Sequence, residues 1–194
     1  MPGFLFGAQR PWVSLSVHFP MPIITLRNAE EHDSARISEI YGYHVKNGTA
    51  SWEYDAPTSA IILDRMVSLK KKGYPYIVAI IDNEVVGYAY AGPYRERLGY
   101  RYVVENSVYV DHRHAGKGIG RKLLTKLIDE CTKRGYRHML AVIGDSNNTA
   151  SIRLHAGLGF THVGTLPKIG FKLNRWLDSY LMHRSLGDGP NTLP

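Results

Sequence analysis

Three glycines alternate at positions 116, 118 and 120 in "VYVDHRHAGKGIGRKLL", with Lys117, Arg121 and Lys122 interleaved or following. Glycines at that density let successive backbone N–H groups turn toward one anion. A helix beginning there adds free N–H groups and the positive end of its dipole. The chemistry is that of a phosphate cradle. The spacing G-x-G-x-G is one residue short of the dinucleotide fingerprint G-x-G-x-x-G. No hydroxyl residue follows Arg121-Lys122, so the magnesium ligand of a Walker loop is missing too. A tight strand-to-helix turn with solvated basic side chains accounts for the same residues equally well at this level.

Just upstream, "VVENSVYV" alternates so that Glu105, Ser107 and Tyr109 share one strand face and Val104, Asn106, Val108 and Val110 the other. A carboxylate in mid-strand runs against β propensity. It reads as a general base, as part of a solvated strand face, or as one half of a structural ion pair. His155, in "SIRLHAGLGF", has an imidazole suited to proton transfer or hydrogen bonding near neutral pH, or to simple packing. His112 and His114 flank Arg113, but no carboxylate or cysteine at ligand spacing joins them, so no metal is expected. The one cysteine, Cys131, falls on an apolar helix face and reads as a packing residue rather than a nucleophile.

The elements that must position these groups follow from periodicity. Ile23–Arg27 is a short strand. Asp33 caps a helix with a stripe at Ile37, Ile40, Tyr41, His44 and Val45, and Thr58 caps a second with Ile62, Met66 and Leu69, closed by Gly73. "YIVAII" and "EVVGYAYAG" form a hairpin through Asp82-Asn83. The polar stretch Pro93–Arg101 leads into the strand Tyr102–Val110. After the glycine turn comes a helix carrying Leu123, Leu124, Leu127, Ile128 and Cys131, ended by Gly135. "HMLAVIG" is the next strand. Asn148 or Thr149 starts a short helix to about Gly157, and Phe160–Gly164 with Trp176–His183 supply late strands. The expected architecture is one α/β domain with a mixed sheet: strand, two helices, antiparallel meander, then a β-α-β-α-β unit.

Composition narrows the class. With 194 residues, 44% of them hydrophobic, the chain can bury a core as a single domain. No apolar run approaches the roughly 20 residues that span a bilayer. A single cysteine excludes an internal disulfide framework and favours the cytosol. The net charge of +7 favours an anionic partner. That charge is scattered, and its densest run, Lys70–Lys72, sits at a helix end, where cations oppose the dipole, so no nucleic-acid surface is expected. Residues 1–22 make a poor signal peptide and read as an extension or an early start, because Met21 directly precedes the first strand. Residues 187–194 read as a flexible tail.

The stretches "ENSVYVDHRHAGKGIG", "NTASIRLHAGLGF" and "GFKLNRWLD", in that order, resemble the GNAT acetyltransferase superfamily. Within it they are most like the branch of phosphinothricin and methionine sulfoximine N-acetyltransferases. The resemblance covers about Ile23–Leu186 and implies the acyl-CoA N-acyltransferase fold. It also implies acetyl-CoA as co-substrate, a small amino-acid-like amine as acceptor, and a homodimer. By the same resemblance Lys117, Gly118, Ile119, Gly120 and Arg121 hold the pyrophosphate, while Val108, Tyr109 and Val110 run beside the pantetheine arm. Asn148 is either a further cofactor contact or a plain helix cap, and one residue can do both. Glu105 becomes the base and His155 a catalytic group, either protonating sulfur or binding substrate. Arg95 matches an arginine of this branch and has the fork geometry for a carboxylate or phosphinate. Trp52 and Phe171 either wall the acceptor pocket or belong to the core. Ala115 departs from the family pattern, which has Gln or Arg there, and Arg113 or Arg121 is the available substitute. Two competing readings remain. One is acetylation of a protein N-terminus, a polyamine or an aminoglycoside. The other is a non-catalytic acyl-CoA or nucleic-acid binder in which Glu105 is dispensable.

Overall fold

Strand alternation and helical stripes resolve into a seven-stranded sheet in the computed structural model, which describes residues 23–194. The strands are β1 (Thr25–Asn28), β2 (Tyr76–Ile81), β3 (Glu84–Pro93), β4 (Val103–Val110), β5 (His138–Gly144), β6 (Thr161–Lys172) and β7 (Arg175–Ser185), ordered β1-β2-β3-β4-β5-β7-β6. Four α-helices accompany them among the described residues: α1 (Ser34–Asn47), α2 (Ser59–Lys71), α3 (Ile119–Lys133) and α4 (Thr149–Ala156). Neighbouring strands pair antiparallel except β4 and β5, which are parallel. The expected mixed α/β architecture is therefore present.

The sheet has an apolar layer on each face. Leu123, Leu124, Leu127, Ile128 and Cys131 of α3 pack against Ala79, Val104 and Met139. On the other face Ile37, Ile40 and Val45 of α1, with Ile62 and Met66 of α2, meet Tyr76, Val78, Tyr88 and Tyr109. Each such side chain, fully buried, contributes roughly 1.5–3 kcal/mol. Burial pushes the Cys131 thiol up to about 12, as expected of a packing residue.

Local signals set most of the ends. Asp82 and Asn83 both take positive φ, the pair of left-handed conformations that turns a two-residue hairpin with the strand twist. The Thr58 hydroxyl caps α2 by accepting from the Ile61 N–H. Asp33 does not cap α1. Its carboxylate instead accepts from the Glu30 N–H at 2.7 Å and from both terminal nitrogens of Arg27 at 2.7 and 2.8 Å. His44, read as part of the apolar stripe, reaches the Val110 carbonyl at 2.7 Å.

The late hairpin is longer than expected. β6 runs on past Gly164 through Pro167 and Gly170 to Lys172, with register irregularities at 162–164 and 166–170. Proline is tolerated because β6 is an edge strand with one side unpaired. The Asp178 carboxylate accepts from the Lys168 N–H at 2.9 Å and steadies the irregular stretch. Residues 187–194, expected to be flexible, carry a 3-10 turn at Gly189–Asn191, and Arg137 donates to the Leu193 carbonyl at 3.1 Å. The reading of residues 1–22 as an extension lies outside the described residues. No helix among the described residues is long and apolar enough to cross a membrane.

One feature of the register creates a site. β4 and β5 pair only at Val103–Glu105 with His138–Leu140. Beyond that, β4 stays with β3 through Val110, and β5 stays with β7 through Gly144. The sheet forks.

Candidate active site

The fork opens a cleft of about 390 Å³. Its walls are Glu105 to Tyr109 of β4, Ala141 to Gly144 of β5, the start of α4, and the loop around Ser51–Glu53. At the apex the Asn106 side-chain NH2 donates to the Leu140 carbonyl at 2.8 Å. Tyr109 shares the strand face of Glu105, and its hydroxyl donates at 3.1 Å to the carbonyl of Ala50, which also lines the cleft. Asn148 lines the cleft and also caps α4, its Oδ1 accepting from the Ser151 N–H at 3.2 Å.

Glu105 lies in the cleft wall with no ion-pair or hydrogen-bond partner among the described residues. Burial alone raises its pKa. The ion-pair reading of this mid-strand carboxylate therefore fails. A buried carboxylate that no cation or N–H stabilises is driven toward the proton-accepting range.

His155 also lines the cleft and is 4% exposed. Its Nδ1 lies 2.8 Å from the Ser151 carbonyl and 3.4 Å from the Ser151 hydroxyl, and its Nε2 lies 3.0 Å from Asn106 Oδ1. Burial lowers its pKa against the opposing effect of the Ser151 carbonyl, so the ring is neutral near pH 7. A neutral ring has one proton for two facing acceptors. That proton goes to one of them, the Ser151 carbonyl at Nδ1 or Asn106 Oδ1 at Nε2. Both nitrogens are thus engaged inside the protein.

The glycine turn sits at the far end of β4. Gly116 and Gly118 have φ of +77° and +78°, a conformation that costs an L side chain roughly 1–2 kcal/mol and glycine nothing comparable. Gly118 is the N-cap of α3, and no side chain among the described residues caps that helix. Its first N–H groups therefore stay available, and Lys117, Arg121 and Lys122 are exposed around them. Ile119 is different. Its side chain is buried in the core, leaving only its backbone to a ligand. Arg113 is not available as the substitute for Ala115. Its guanidinium donates to Asp111 at 2.6 Å and to Glu84 at 3.1 Å, and Arg36 joins the same Asp111 carboxylate. Hydrogen bonds from Arg113, with Arg36 adding its charge, hold the Asp111 carboxyl well below the usual carboxylate range. Arg121, beside Gly157 just past α4, is the remaining cation.

The acceptor-side residues divide. Trp52 lines the cleft, its indole seated on Gly170 where a Cβ has no room. Phe171 lies outside the cleft lining, at the edge strand against Trp176 with centroids 5.4 Å apart. Arg95 is exposed between the rings of Tyr94 and Tyr100, at 5.1 and 5.7 Å from their centroids, and does not line the cleft either. Sequence reasoning missed Lys172. It is 3% exposed, and its ammonium donates to the Ser51 carbonyl at 2.5 Å, tying the hairpin to the cleft loop. It also missed Glu53, which accepts from the Tyr41 hydroxyl at 3.0 Å and from Arg65 at 2.7 Å. Neither carries a local signal, since both partners are distant in sequence.

A helix opening on an uncapped glycine turn, beside two strands that part, is the arrangement the comparisons meet. The acetyltransferase (GNAT) family model matches residues 37–160. The chain belongs to this family. It is 44% identical over 170 residues to the phosphinothricin N-acetyltransferase of Alcaligenes faecalis, covering 88% of this chain and 86% of that one. It is 42% identical over 165 residues to the L-methionine sulfoximine/L-methionine sulfone acetyltransferase of Salmonella typhimurium, covering 85% and 96%. Among solved structures, a GNAT phosphinothricin acetyltransferase from Sinorhizobium meliloti in complex with acetyl-CoA superposes with a TM-score of 0.86 at 44% identity, covering 88% and 92%. In this GNAT acetyltransferase no group of three or more His, Cys, Asp or Glu gathers to hold a metal among the described residues.

Proposed function

We propose that the protein transfers the acetyl group of acetyl-CoA to the amino group of a small amino acid or analogue of the phosphinothricin, methionine sulfoximine or methionine sulfone type. The observation that carries this reading is the half-buried carboxylate of Glu105, unpaired among the described residues, in a fork whose far end is an uncapped helix N-terminus. The acceptor class rests on the relatives at 42–44% identity.

The backbone of Lys117 to Arg121 receives the diphosphate of the co-substrate, and the edge of Val108–Val110 runs beside its pantetheine arm. Glu105 takes a proton from the acceptor's ammonium, directly or through a water, and frees the nitrogen lone pair. That nitrogen bonds to the thioester carbon, and a β4 backbone N–H donates to the oxygen as it gains charge. The carbon–sulfur bond then breaks, and the second amine proton leaves with the thiol. His155 is assigned a positioning role. Its Nε2 lies 3.0 Å from the oxygen of Asn106, whose NH2 fixes the apex of the fork at Leu140. Arg95 lies outside the cleft lining, so only the family resemblance supports it as partner for the acceptor's carboxylate.

We further propose a homodimer in the cytosol. Val163, Leu166, Ile169, Leu173 and Trp176 leave the β6–β7 hairpin with an exposed apolar surface, suited to a second copy. The test is thiol release from acetyl-CoA with a panel of phosphinothricin, methionine sulfoximine, methionine sulfone, spermidine, an aminoglycoside and an N-terminal peptide. Turnover confined to the amino-acid analogues, lost in Glu105→Gln with CoA affinity retained, is the expected result. Turnover only with the peptide, spermidine or the aminoglycoside, or an unchanged rate in Glu105→Gln, would refute it.

A further inference from the structure

A second cavity of about 280 Å³ continues from the cleft, sharing Tyr41 and Tyr90 with it and running between α2 and the sheet. Tyr76, Tyr88 and Tyr90 line it as near-parallel rings, with Tyr76–Tyr90 and Tyr76–Tyr88 centroids 4.9 and 5.9 Å apart. Tyr76 and Tyr88 are 4% and 1% exposed. Their hydroxyls make no hydrogen bond among the described residues, and neither is sealed from the cavity. Two hydroxyls that open on one slot and have no protein acceptor among the described residues are free to donate to a ligand placed there. Burial holds both phenols well above the ordinary tyrosine range, so they remain donors at any working pH.

Among the described residues Arg65 is the one lysine or arginine lining either cavity. It meets Glu53 through Nη1 at 2.7 Å and Nη2 at 3.4 Å. A guanidinium carries five N–H donors, so these contacts leave others for a second acceptor. Glu53 also accepts from Tyr41, which places the pair at the junction of cleft and slot.

We infer that the slot receives the acceptor's side chain, and that Arg65 with the Tyr76 and Tyr88 hydroxyls reads an oxygen-bearing tetrahedral terminus on it: a phosphinate, sulfone or sulfoximine. The aromatic walls suit the methylene stem, and the three donors suit the oxygens. This inference rests on the proposed acetyl transfer and adds the residues that set its specificity.

The experiment measures kcat/KM for phosphinothricin and for methionine in the wild type, Arg65→Gln, Tyr76→Phe and Glu53→Gln. Both substrates keep the amine and carboxylate, and only the side-chain terminus differs. Losing a hydrogen bond to a charged group should lower the phosphinothricin-to-methionine ratio at least tenfold in Arg65→Gln, and severalfold in Tyr76→Phe. Removing the competing carboxylate in Glu53→Gln should hold or raise that ratio. An equal loss on both substrates would move Arg65 to the common carboxylate or to a structural role, and overturn the inference. So would an unchanged ratio in both Arg65→Gln and Tyr76→Phe. Tyr76→Phe keeps the ring and its packing, so the test survives if Arg65→Gln folds poorly. A wild type that turns over neither substrate refutes the acetyl-transfer reading itself, and the slot falls with it.

Discussion

Gly118 and Gly120 stand two residues apart in the same turn, and their alanine variants should behave oppositely. At Gly118 an added Cβ meets nothing within 4 Å, so the cost of Gly118→Ala is that of the backbone alone. Holding an L residue at φ near +78° costs roughly 1–2 kcal/mol. If the turn keeps its shape without ligand, that cost appears as lost stability, a fall of about 2–4 °C in Tm for each kcal/mol in a chain of this size. If the free turn relaxes instead, the ligand must restore it, and Kd for CoA rises roughly 5- to 30-fold. The two losses together should amount to about 1–2 kcal/mol. Gly120 lies inside the first turn of α3, and its added Cβ would meet Leu154 at 3.4 Å and Val110 at 3.7 Å, ordinary contacts on the core side. Gly120→Ala therefore gains helix propensity, about 0.8–1 kcal/mol at most, and should leave Kd within about twofold. Calorimetric titration with CoA and thermal melting with and without it separate the two contributions. A Gly118→Ala variant unchanged in both measurements would refute the reasoning. So would a Gly120→Ala variant as impaired as Gly118→Ala.

Glu105 has its folded-state pKa raised by burial, so protonation favours the fold; its contribution is present at low pH and is lost as pH rises through the folded value. At pH 7 the charged form costs stability, and Glu105→Gln should melt higher than wild type while losing turnover; a lower Tm would contradict the burial argument. The acid limb of the kcat/KM profile should lie above the usual glutamate value of about 4.3, and a limb at or below it would remove Glu105 as the titrating base. His155→Gln should lower kcat through displacement of Asn106 while the shape of the kcat pH profile persists; loss of its alkaline limb would make His155 the acid instead. Cys131, its thiol raised to about 12 by burial, should resist alkylation at pH 8 in the native protein and react once in denaturant; rapid native labelling would show the α3 face to be open.

What could be read ahead was what local chemistry decides. Alternating glycines, basic residues and a following apolar stripe define a strand, turn and helix between Val103 and Lys133, and Asp82-Asn83 forces its hairpin unaided. The setting of Glu105 was half legible: the misplaced carboxylate could be seen, but its lack of a partner depends on residues elsewhere. Arg113 shows the opposite case. It looked free beside the turn, yet Glu84, 29 residues away, and Asp111 hold it. The extension of β6 past Pro167 could not be read because proline and glycine argue against a strand interior, and only its position at the sheet edge lifts that objection. Arg95 and Phe171 were chosen by residue type from motifs, and type does not say which way a loop or an edge strand turns.

The fork ties these parts into one device. Main-chain N–H and C=O groups in a sheet need partners, and the half of β4 that points away from β3 gives up the ladder after Glu105. Three features tolerate that loss. The Asn106 amide substitutes for the next rung at Leu140, and His155 holds that amide in place. Arg36 and Arg113 clamp Asp111 immediately beyond Val110, so the freed strand cannot swing toward β5. On the opposite wall Lys172 fixes Ser51 and keeps the loop from collapsing into the gap. The unpaired edge is thus held open at both ends by groups outside the chemistry. An extended ligand arm with its own carbonyl and N–H groups is the natural substitute for the missing strand. Its length is bounded at one end by the free helix N–H groups at Gly118 and at the other by the carboxylate of Glu105. The same register break that costs the sheet its hydrogen bonds therefore sets the distance between the proposed anchor and the proposed base.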